Sequence, residues 1–424
     1  MNKIKVLIFP AGEVNSIELH EALSTCVNIE LYGASSIDRH GEYIFKNYIS
    51  GLPMISDSNF IEHFNRILDK YKIDVIFPTH DTVLKFFSDN LTQIKAKVVC
   101  SNKTTADICR DKSKIYDLFR EYSFCPKQYD DIVTYPIFMK PKNGQGGVGA
   151  KLISTKEDIP KNINIKDYVL CEYLPGEEYS VDCLTDKNGN IKIILPRSRN
   201  RTMAGICVSG KNEKLTSEIK QIAEIINSKL KFEGFWFFQI KKDLNNEFKL
   251  LEVAARCAST MCLSRAQGVN LPLLSVYITM GYDVDVFQNP YNIVMDRTLI
   301  SRYKIDYEYD TVYFDFDDTL IINEQVHLPS IRFLYQCKNQ NKDVILITRH
   351  ENDLYKTLEK YAISKNLFKK IIHINFNDEK INYINPQKAI FIDNAYQERK
   401  SVHDKFNIPV FDVEGIEVLT DWRN

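Results

Sequence analysis

The chain lacks the marks of several large protein classes. Its ten cysteines (Cys26, Cys100, Cys109, Cys125, Cys171, Cys183, Cys207, Cys257, Cys262, Cys337) form no Cys-x-x-Cys pair. That argues against a zinc site and leaves buried free thiols as the plain reading. Charge of neither sign prevails: 55 Lys and Arg against 56 Asp and Glu give a net charge of −1. Nothing in that balance favours nucleic acid or a membrane surface. No apolar run approaches the length of a membrane helix. The opening segment to Pro10 reads as a strand rather than a secretion signal, so the cytoplasm is the expected compartment. Internal repeats and low-complexity tracts are missing as well.

What is present suits an ordinary globular protein of several parts. At 424 residues the chain is too long for one core, and two or three domains are expected. Apolar residues make up 44% and charged residues 26%, both ordinary values. Through the first hundred residues strand-like runs (Val6–Phe9, Ile29–Gly33, Asp74–Phe77, Lys97–Cys100) alternate with helical patterns (Ser16–Leu23, Asn59–Tyr71). Such alternation predicts a parallel, doubly wound sheet. Asp111 is placed to cap a helix running to Arg120, and Pro126 closes the region. From Tyr135 the strands lengthen and Gly-rich turns appear, with hairpin-like turns at Asp186–Gly189 and Asp243–Asn246. Strand and helix alternate again from about Asp310.

Two stretches carry chemistry. The first begins at Phe138-Met-Lys-Pro-Lys-Asn-Gly-Gln-Gly-Gly-Val-Gly149, a strand ending in Lys140 and then a glycine-rich turn without the Gly-Lys-Ser/Thr ending of a Walker loop. Glycines let backbone N–H groups approach an anion closely, and Lys140 adds a point charge. Val169–Asp182 reads as strand, turn, strand. Gln239 is the polar residue of the apolar strand Phe235–Ile240, and Lys249–Arg256 is a strand bearing Glu252 and ending at Arg256. A carboxylate on an apolar strand needs a cation or hydrogen bonds. Gln239 and Glu252 on neighbouring strands supply oxygens suited to Mg²⁺ beside phosphates.

In this order and spacing, residues 1 to 290 resemble the ATP-grasp superfamily, and within it the carbamoyl-phosphate-synthase-like carboxylate–amine ligases. The resemblance implies ATP and Mg²⁺ (or Mn²⁺) as cofactors, and a small-molecule carboxylate and an amine as substrates. It implies that Lys112 touches ATP phosphate and that Lys140 with Gly146, Gly147 and Gly149 covers the phosphates. Glu172, Tyr173 and Leu174 would line the adenine pocket, and Glu178 would bind ribose. Gln239 and Glu252 would hold the metal. Arg256 would steady the transferred phosphoryl group, and Arg199 and Arg201 would meet the carboxylate substrate. One departure stands out: the family's Glu-Val-Asn-Pro-Arg is here Glu252-Val-Ala-Ala-Arg256, so Ala254 removes a metal-ligating oxygen.

The second stretch is Asp315-Phe-Asp-Asp-Thr-Leu320 after the apolar Val312-Tyr-Phe314. Two carboxylates two residues apart leave a strand end in the same direction, where open α/β sheets place ligands. Like charges raise each other's pKa, so a divalent cation or a division of labour is needed. Further on come a strand ending in Thr348, Lys380 after Asp378-Glu379, and Ala389-Ile-Phe-Ile-Asp393 followed by Asn394 and Glu398. With these motifs in series, residues 310 to 424 resemble the haloacid dehalogenase (HAD) superfamily of phosphatases. The resemblance implies Asp315 as nucleophile, Asp317 as acid and base, and Thr348 and Lys380 as phosphoryl-binding groups, with Lys388 a rival to Lys380. Mg²⁺ would lie on Asp315, the Asp317 carbonyl and Asp393. No insertion long enough for a cap domain separates the motifs.

The expected protein is thus an α/β and α+β multidomain chain. A Rossmann-like pre-ATP-grasp domain spans 1–105, an ATP-grasp domain 106–290, a linker 291–309, and a capless HAD-like phosphatase domain with a Rossmannoid sheet 310–424. Three functions stay open: a ligase joined to a phosphatase that acts on a phosphorylated small molecule, a small-molecule kinase joined to a phosphatase, and a nucleotide-sensing scaffold joined to a phosphatase. Oligomeric state is not legible.

Overall fold

Alternate residues of the opening strand, Ile4–Phe9, build the first layer. Val6 and Ile8 pack with Leu19, Ala22 and Leu23 of the helix Val14–Leu23, while Leu7 and Phe9 pack with Phe60 and Phe64 of the helix Phe60–Tyr71. Both faces are therefore buried, as a parallel sheet requires. Its five strands run Asn47–Ile49, Ile29–Ala34, Ile4–Phe9, Val75–Pro78, Lys97–Val98 in space, all parallel. The computed structural model describes residues 3–144, 147–161, 163–203 and 205–423. They fall into two compact units, one reaching Leu299 and the other beginning at Ile300.

The rest of the first unit is antiparallel. A small four-stranded sheet orders Gln128–Tyr129, Tyr168–Glu172, Ile137–Pro141 and Lys151–Ile153. A larger one orders Ile191–Ser198, Glu178–Thr185, Gly234–Lys242 and Phe248–Ala254. Its hairpin turns fall at Asp186–Gly189 and Asp243–Asn246, where Gly189 and Asn246 take the positive φ that such turns need. On one face Val181, Cys183, Trp236, Phe238 and Val253 pack against Ile219, Ile222 and Ile226 of the helix Ser217–Lys229. Directly paired residues share a face, so the register sets Arg197, Ser180, Gln239 and Glu252 in one row across the other face. A third sheet orders Arg201–Met203, Ile206–Lys211 and Val294–Asp296, so part of the stretch expected as a linker is paired within this unit.

The second unit is a five-stranded parallel sheet in the order Lys370–His373, Asp343–Thr348, Thr311–Phe314, Ala389–Ile392, Val410–Phe411. Val312 and Phe314 face one core and Tyr313 the other. Only a short hairpin, Ile321–Ile322 with Gln325–Val326, and the helix Leu328–Asn339 separate its first two strands among the described residues. No helix among the described residues is long and apolar enough to cross a membrane.

Candidate functional sites

Two adjoining cavities open in the first unit. One, of about 400 Å³, lies between the two larger antiparallel sheets and is lined by Lys112, Lys140, Gly147, Glu172, Tyr173, Leu174, Glu178, Arg199, Gln239 and Glu252 among others. Lys112 reaches it as the first residue of the helix Lys112–Phe119, whose N-terminus Asp111 caps by accepting from Ser113 N–H at 2.9 Å. Its Nζ donates to Gly144 O at 2.9 Å, drawing the glycine turn over the cavity. Lys140 is 7% exposed; its Nζ donates to Leu251 O at 3.1 Å and lies 5.0 Å from the Tyr116 ring centre. Burial, the largest influence, holds the Lys140 pKa below the usual lysine range. A buried ammonium so sparsely neutralised favours an anionic neighbour.

Gln239 stands directly opposite Glu252, and both line the cavity. Neither side chain makes a hydrogen bond or ion pair among the described residues. Two unmatched oxygen donors side by side beside two lysines fit a hard cation that also takes ligands from phosphate. No cluster of three or more His, Cys, Asp or Glu able to hold a metal occurs among the described residues. Ala254 sits opposite Phe237, buried and without an oxygen to offer.

The second cavity, of about 280 Å³, shares Val148, Arg199, Gly205, Gln239 and Glu252 with the first. Arg197, Arg256, Asn15, Thr79 and Thr260 also line it. Asn15 Nδ2 donates to Thr79 O at 2.7 Å and to Cys257 O at 3.1 Å, tying the parallel sheet to the end of the strand that carries Glu252. Arg256 pairs with Asp81 through Nε (2.5 Å) and Nη2 (3.3 Å).

The sequence-predicted residues sort accordingly. Lys112, Lys140, Gly147, Glu172, Tyr173, Leu174, Glu178, Arg199, Gln239 and Glu252 meet at the first cavity. Arg256 lies at the second, with its guanidinium committed to Asp81 and Cys257 O. The Glu172 carboxylate already accepts from Lys127 N–H at 2.7 Å, and Glu178 pairs with Arg199 at 2.6 Å. Arg201 departs from expectation: it is exposed, held by Asp296 at 2.8 Å, and lines neither cavity. The strand Ile191–Ser198 ends before it, so the alternation through Arg197 and Arg199 does not carry Arg201 inward. Gly149 is also outside the lining; its positive φ shapes the turn against Pro141. Gly146 lies outside the described residues. Tyr116, Asn15 and Thr79 were missed because tyrosine, asparagine and threonine carry no local signal, and Arg197 because only strand register tells which of the neighbours Arg197, Arg199 and Arg201 is buried.

In the second unit a cavity of about 450 Å³ is lined by Asp315, Asp317, Thr348, Lys380 and Asp393, with Arg349, His350 and Asn394. Asp315, Thr348 and Asp393 come from the C-terminal ends of three adjacent strands, where the parallel pairing aligns them. Lys380 Nζ lies 2.6 Å from Asp315 Oδ1 and 2.7 Å from Asp393 Oδ2. All three are almost fully buried. Burial first and the Asp393 charge second push the Asp315 pKa up to about 7, against the pull of Lys380. Burial also raises Asp393. Lys380 is held above its ordinary value: burial opposes its charge, but the two carboxylates outweigh that. Two buried carboxylates sharing one ammonium retain unspent negative charge, which fits a divalent cation completed by a backbone carbonyl. Lys388 is exposed and faces Asp310. Asp317 is half exposed, within 2.9 Å of His350 Nδ1, and accepts from Thr348 Oγ1 at 3.3 Å. Glu398 pairs with Arg349 at 2.7 Å. His350 was missed, since nothing in its flanking sequence marks it.

Known structures match this fold at low identity. The biotin carboxylase domain of 2-oxoglutarate carboxylase from Hydrogenobacter thermophilus, in complex with MgADP, ADP and bicarbonate, superposes with a TM-score of 0.56 at 16% identity, over 68% of this chain and 72% of that one. N5-carboxyaminoimidazole synthetase from Staphylococcus aureus with ADP gives 0.58 at 14%, over 70% and 83%. L-amino acid ligase from Bacillus licheniformis gives 0.51 at 14%, over 66% and 74%. Over about two thirds of its length the chain thus shares the fold of these enzymes. More particularly, residues 164–298 match the family described as ATP-grasp in the biosynthetic pathway with Ter operon, a segment wholly within the first unit. No curated protein matches the chain in sequence.

Proposed function

We propose that the first unit is an ATP-dependent carboxylate–amine ligase. The observation that carries this reading is the unmatched Gln239–Glu252 pair on the floor shared by the two cavities. ATP occupies the first cavity, its adenine beside Tyr173 and Leu174 and its phosphates under Lys112, Lys140 and the Gly147 turn. The nucleotide-bound relatives and the two buried or half-buried lysines support that orientation. Gln239 and Glu252 would hold Mg²⁺, which would neutralise phosphate charge. A carboxylate in the second cavity attacks the γ-phosphorus, ADP leaves, and an acyl phosphate remains. An amine then attacks the acyl carbon, forming the amide and releasing phosphate. Arg199, at the junction of the cavities, holds the negative oxygens in line. The Rossmann-like role of residues 1–105 is to close the second cavity with Asn15 and Thr79.

We further propose that the second unit is a phosphatase of the HAD type. Its support is Lys380 set between Asp315 and Asp393. Asp315 attacks phosphorus and forms an aspartyl phosphate. Asp317, positioned by His350, protonates the leaving oxygen and later takes a proton from water. Lys380 and Thr348 meet the phosphoryl oxygens. A phosphorylated amide made by the first unit is the proposed substrate, and one chain raises its effective concentration for the second step.

The test is a screen of ADP release over pairs of carboxylates and amines, with products read by mass. Asp315→Asn protein is expected to accumulate a phosphorylated amide. Amide formation with no phosphorylated species in that variant counts against the sequence of steps. Ala254 favours one other reading, a nucleotide sensor. Tight ATP binding with no ADP release for any substrate pair supports that instead.

A further inference from the structure

We infer that the second cavity selects a small acid carrying another oxygen function besides the reacting carboxylate, and that Arg197 reads that oxygen. The inference rests on the ligase reading for the nucleotide's place in the first cavity and for the reacting carboxylate.

Arg197 is 2% exposed and lines the second cavity but not the first. Its Nε donates to Asp182 Oδ2 at 2.8 Å and its Nη2 to Oδ1 at 2.9 Å. Asp182 is fully buried and also accepts from Ser264 Oγ at 3.1 Å. That clamp fixes the guanidinium plane. It leaves Arg197 Nη1 buried with no hydrogen-bond partner among the described residues. Ser180 Oγ, the next residue in the row that continues to Gln239 and Glu252, is likewise buried and unpartnered. A charged donor left unmet in a buried place is costly. Asp182 more than offsets burial and keeps Arg197 firmly charged.

Position divides the work among the arginines. Arg199 lines both cavities, so it serves the carboxylate nearest the phosphates. Arg256 is already engaged by Asp81 and Cys257 O. Arg197 lines the second cavity but not the first, and its Nη1 has no hydrogen-bond partner among the described residues. A cavity of about 280 Å³ admits a ligand of amino-acid size. Phe237 and Val14 in its wall contribute no charge. The fitting class is a short hydroxy, keto or dicarboxylic acid. A site built around a donor rejects analogues that lack the matching acceptor.

The test uses the full chain with a non-hydrolysable ATP analogue and Mg²⁺. Ligand-observed NMR measures affinities for succinate, malate and glutarate against butanoate and pentanoate. The oxygenated acids are expected to bind about 10–100-fold more tightly, the range for one hydrogen bond to a charged donor. Arg197→Lys keeps a cation for Asp182 but removes Nη1; it is expected to erase that preference and leave affinity for the nucleotide analogue unchanged. Equal binding of butanoate and succinate by the unmodified protein overturns the assignment, and is the result expected if water satisfies Arg197. Retained preference in a folded Arg197→Lys protein overturns it too, as does no binding by any acid. Should that variant fail to fold by circular dichroism, the comparison among acids decides alone. ADP release is read in parallel. A preference that depends on Arg197 without ADP release for any amine sinks the ligase reading and leaves the pocket assignment standing. ADP release without discrimination does the reverse.

Discussion

Arg256 grips Asp81 through two nitrogens across 175 positions of sequence, joining the end of the strand that bears Glu252 to the first residue of the helix Asp81–Asp89. Both side chains are less than a fifth exposed. Breaking such a pair leaves an uncompensated charge, so Asp81→Asn is expected to cost about 3 kcal/mol at pH 7. Burial pushes the Asp81 carboxyl up, but the charge and hydrogen bonds of Arg256 outweigh it and hold the pKa below 3.8. A depressed carboxyl contributes stability above its unfolded pKa and loses it as pH falls through the folded value. The stability difference between the variant and the unmodified protein should therefore stay level from pH 7 to pH 4.5 in urea titrations and shrink only below 3.8. Shrinkage already at pH 6 contradicts the pairing.

Lys140 offers a test of the nucleotide cavity. It is buried, and Leu251 O is its one hydrogen-bond acceptor among the described residues. Lys140→Met is nearly isosteric and removes a charge from a place that strains to hold one. The folded protein should be no less stable, while affinity for MgADP falls about 10–100-fold, the worth of one charge-assisted bond. Calorimetric titration at fixed Mg²⁺ measures it. Unchanged affinity means that the phosphates lie elsewhere.

Arg199 and Arg201 are separated by one residue yet sit in different settings. Arg199 lines both cavities and is nearly buried beside Glu178, whereas Arg201 is well exposed beside Asp296. An exposed ion pair is worth at most about 1 kcal/mol. Arg201→Ala is thus expected to leave ADP release within about twofold of the unmodified rate, and Arg199→Ala to lower it by about 100-fold, the loss typical of one donor to a developing charge. Equal losses in steady-state assays at saturating ATP contradict the division.

Sequence reading reached what local pattern encodes. Apolar runs ending in an acid or hydroxyl placed Asp315, Thr348 and Asp393 at strand ends, because one strand's pattern suffices to find its end. Gln239 and Glu252 were visible for the same reason, as polar interruptions of apolar strands. What stayed hidden depends on register. Arg197 and Asp182 meet only because the strands Ile191–Ser198 and Glu178–Thr185 pair with Ser180 opposite Arg197. Asn15 and Thr79 enter the second cavity from strand and helix ends that lie far away in sequence. Short strands such as Asn47–Ile49 and Val294–Asp296 carry too few residues for a period to show. Ile206–Lys211 recruits the second of these to its own edge.

Lys380 was the candidate in sequence with Lys388 its rival, and the two lie in different surroundings. Lys380 Nζ touches both Asp315 and Asp393, while Lys388 is well exposed near Asp310. Removing Lys380 leaves two buried carboxylates facing each other and, on the proposed phosphatase reading, strips a donor from the phosphoryl oxygens. Lys380→Met is therefore expected to lower hydrolysis of p-nitrophenyl phosphate by about 100–1,000-fold, the range for losing one donor to developing negative charge. Lys388→Met should stay within about twofold, since an exposed lysine contributes little. Melting curves distinguish lost chemistry from lost folding. The lost ammonium raises repulsion in the Lys380 variant, and added Mg²⁺ should restore part of its melting temperature by binding the folded state. Reversed behaviour of the two lysines, with Lys388 indispensable and Lys380 not, removes the structural basis for the phosphatase assignment.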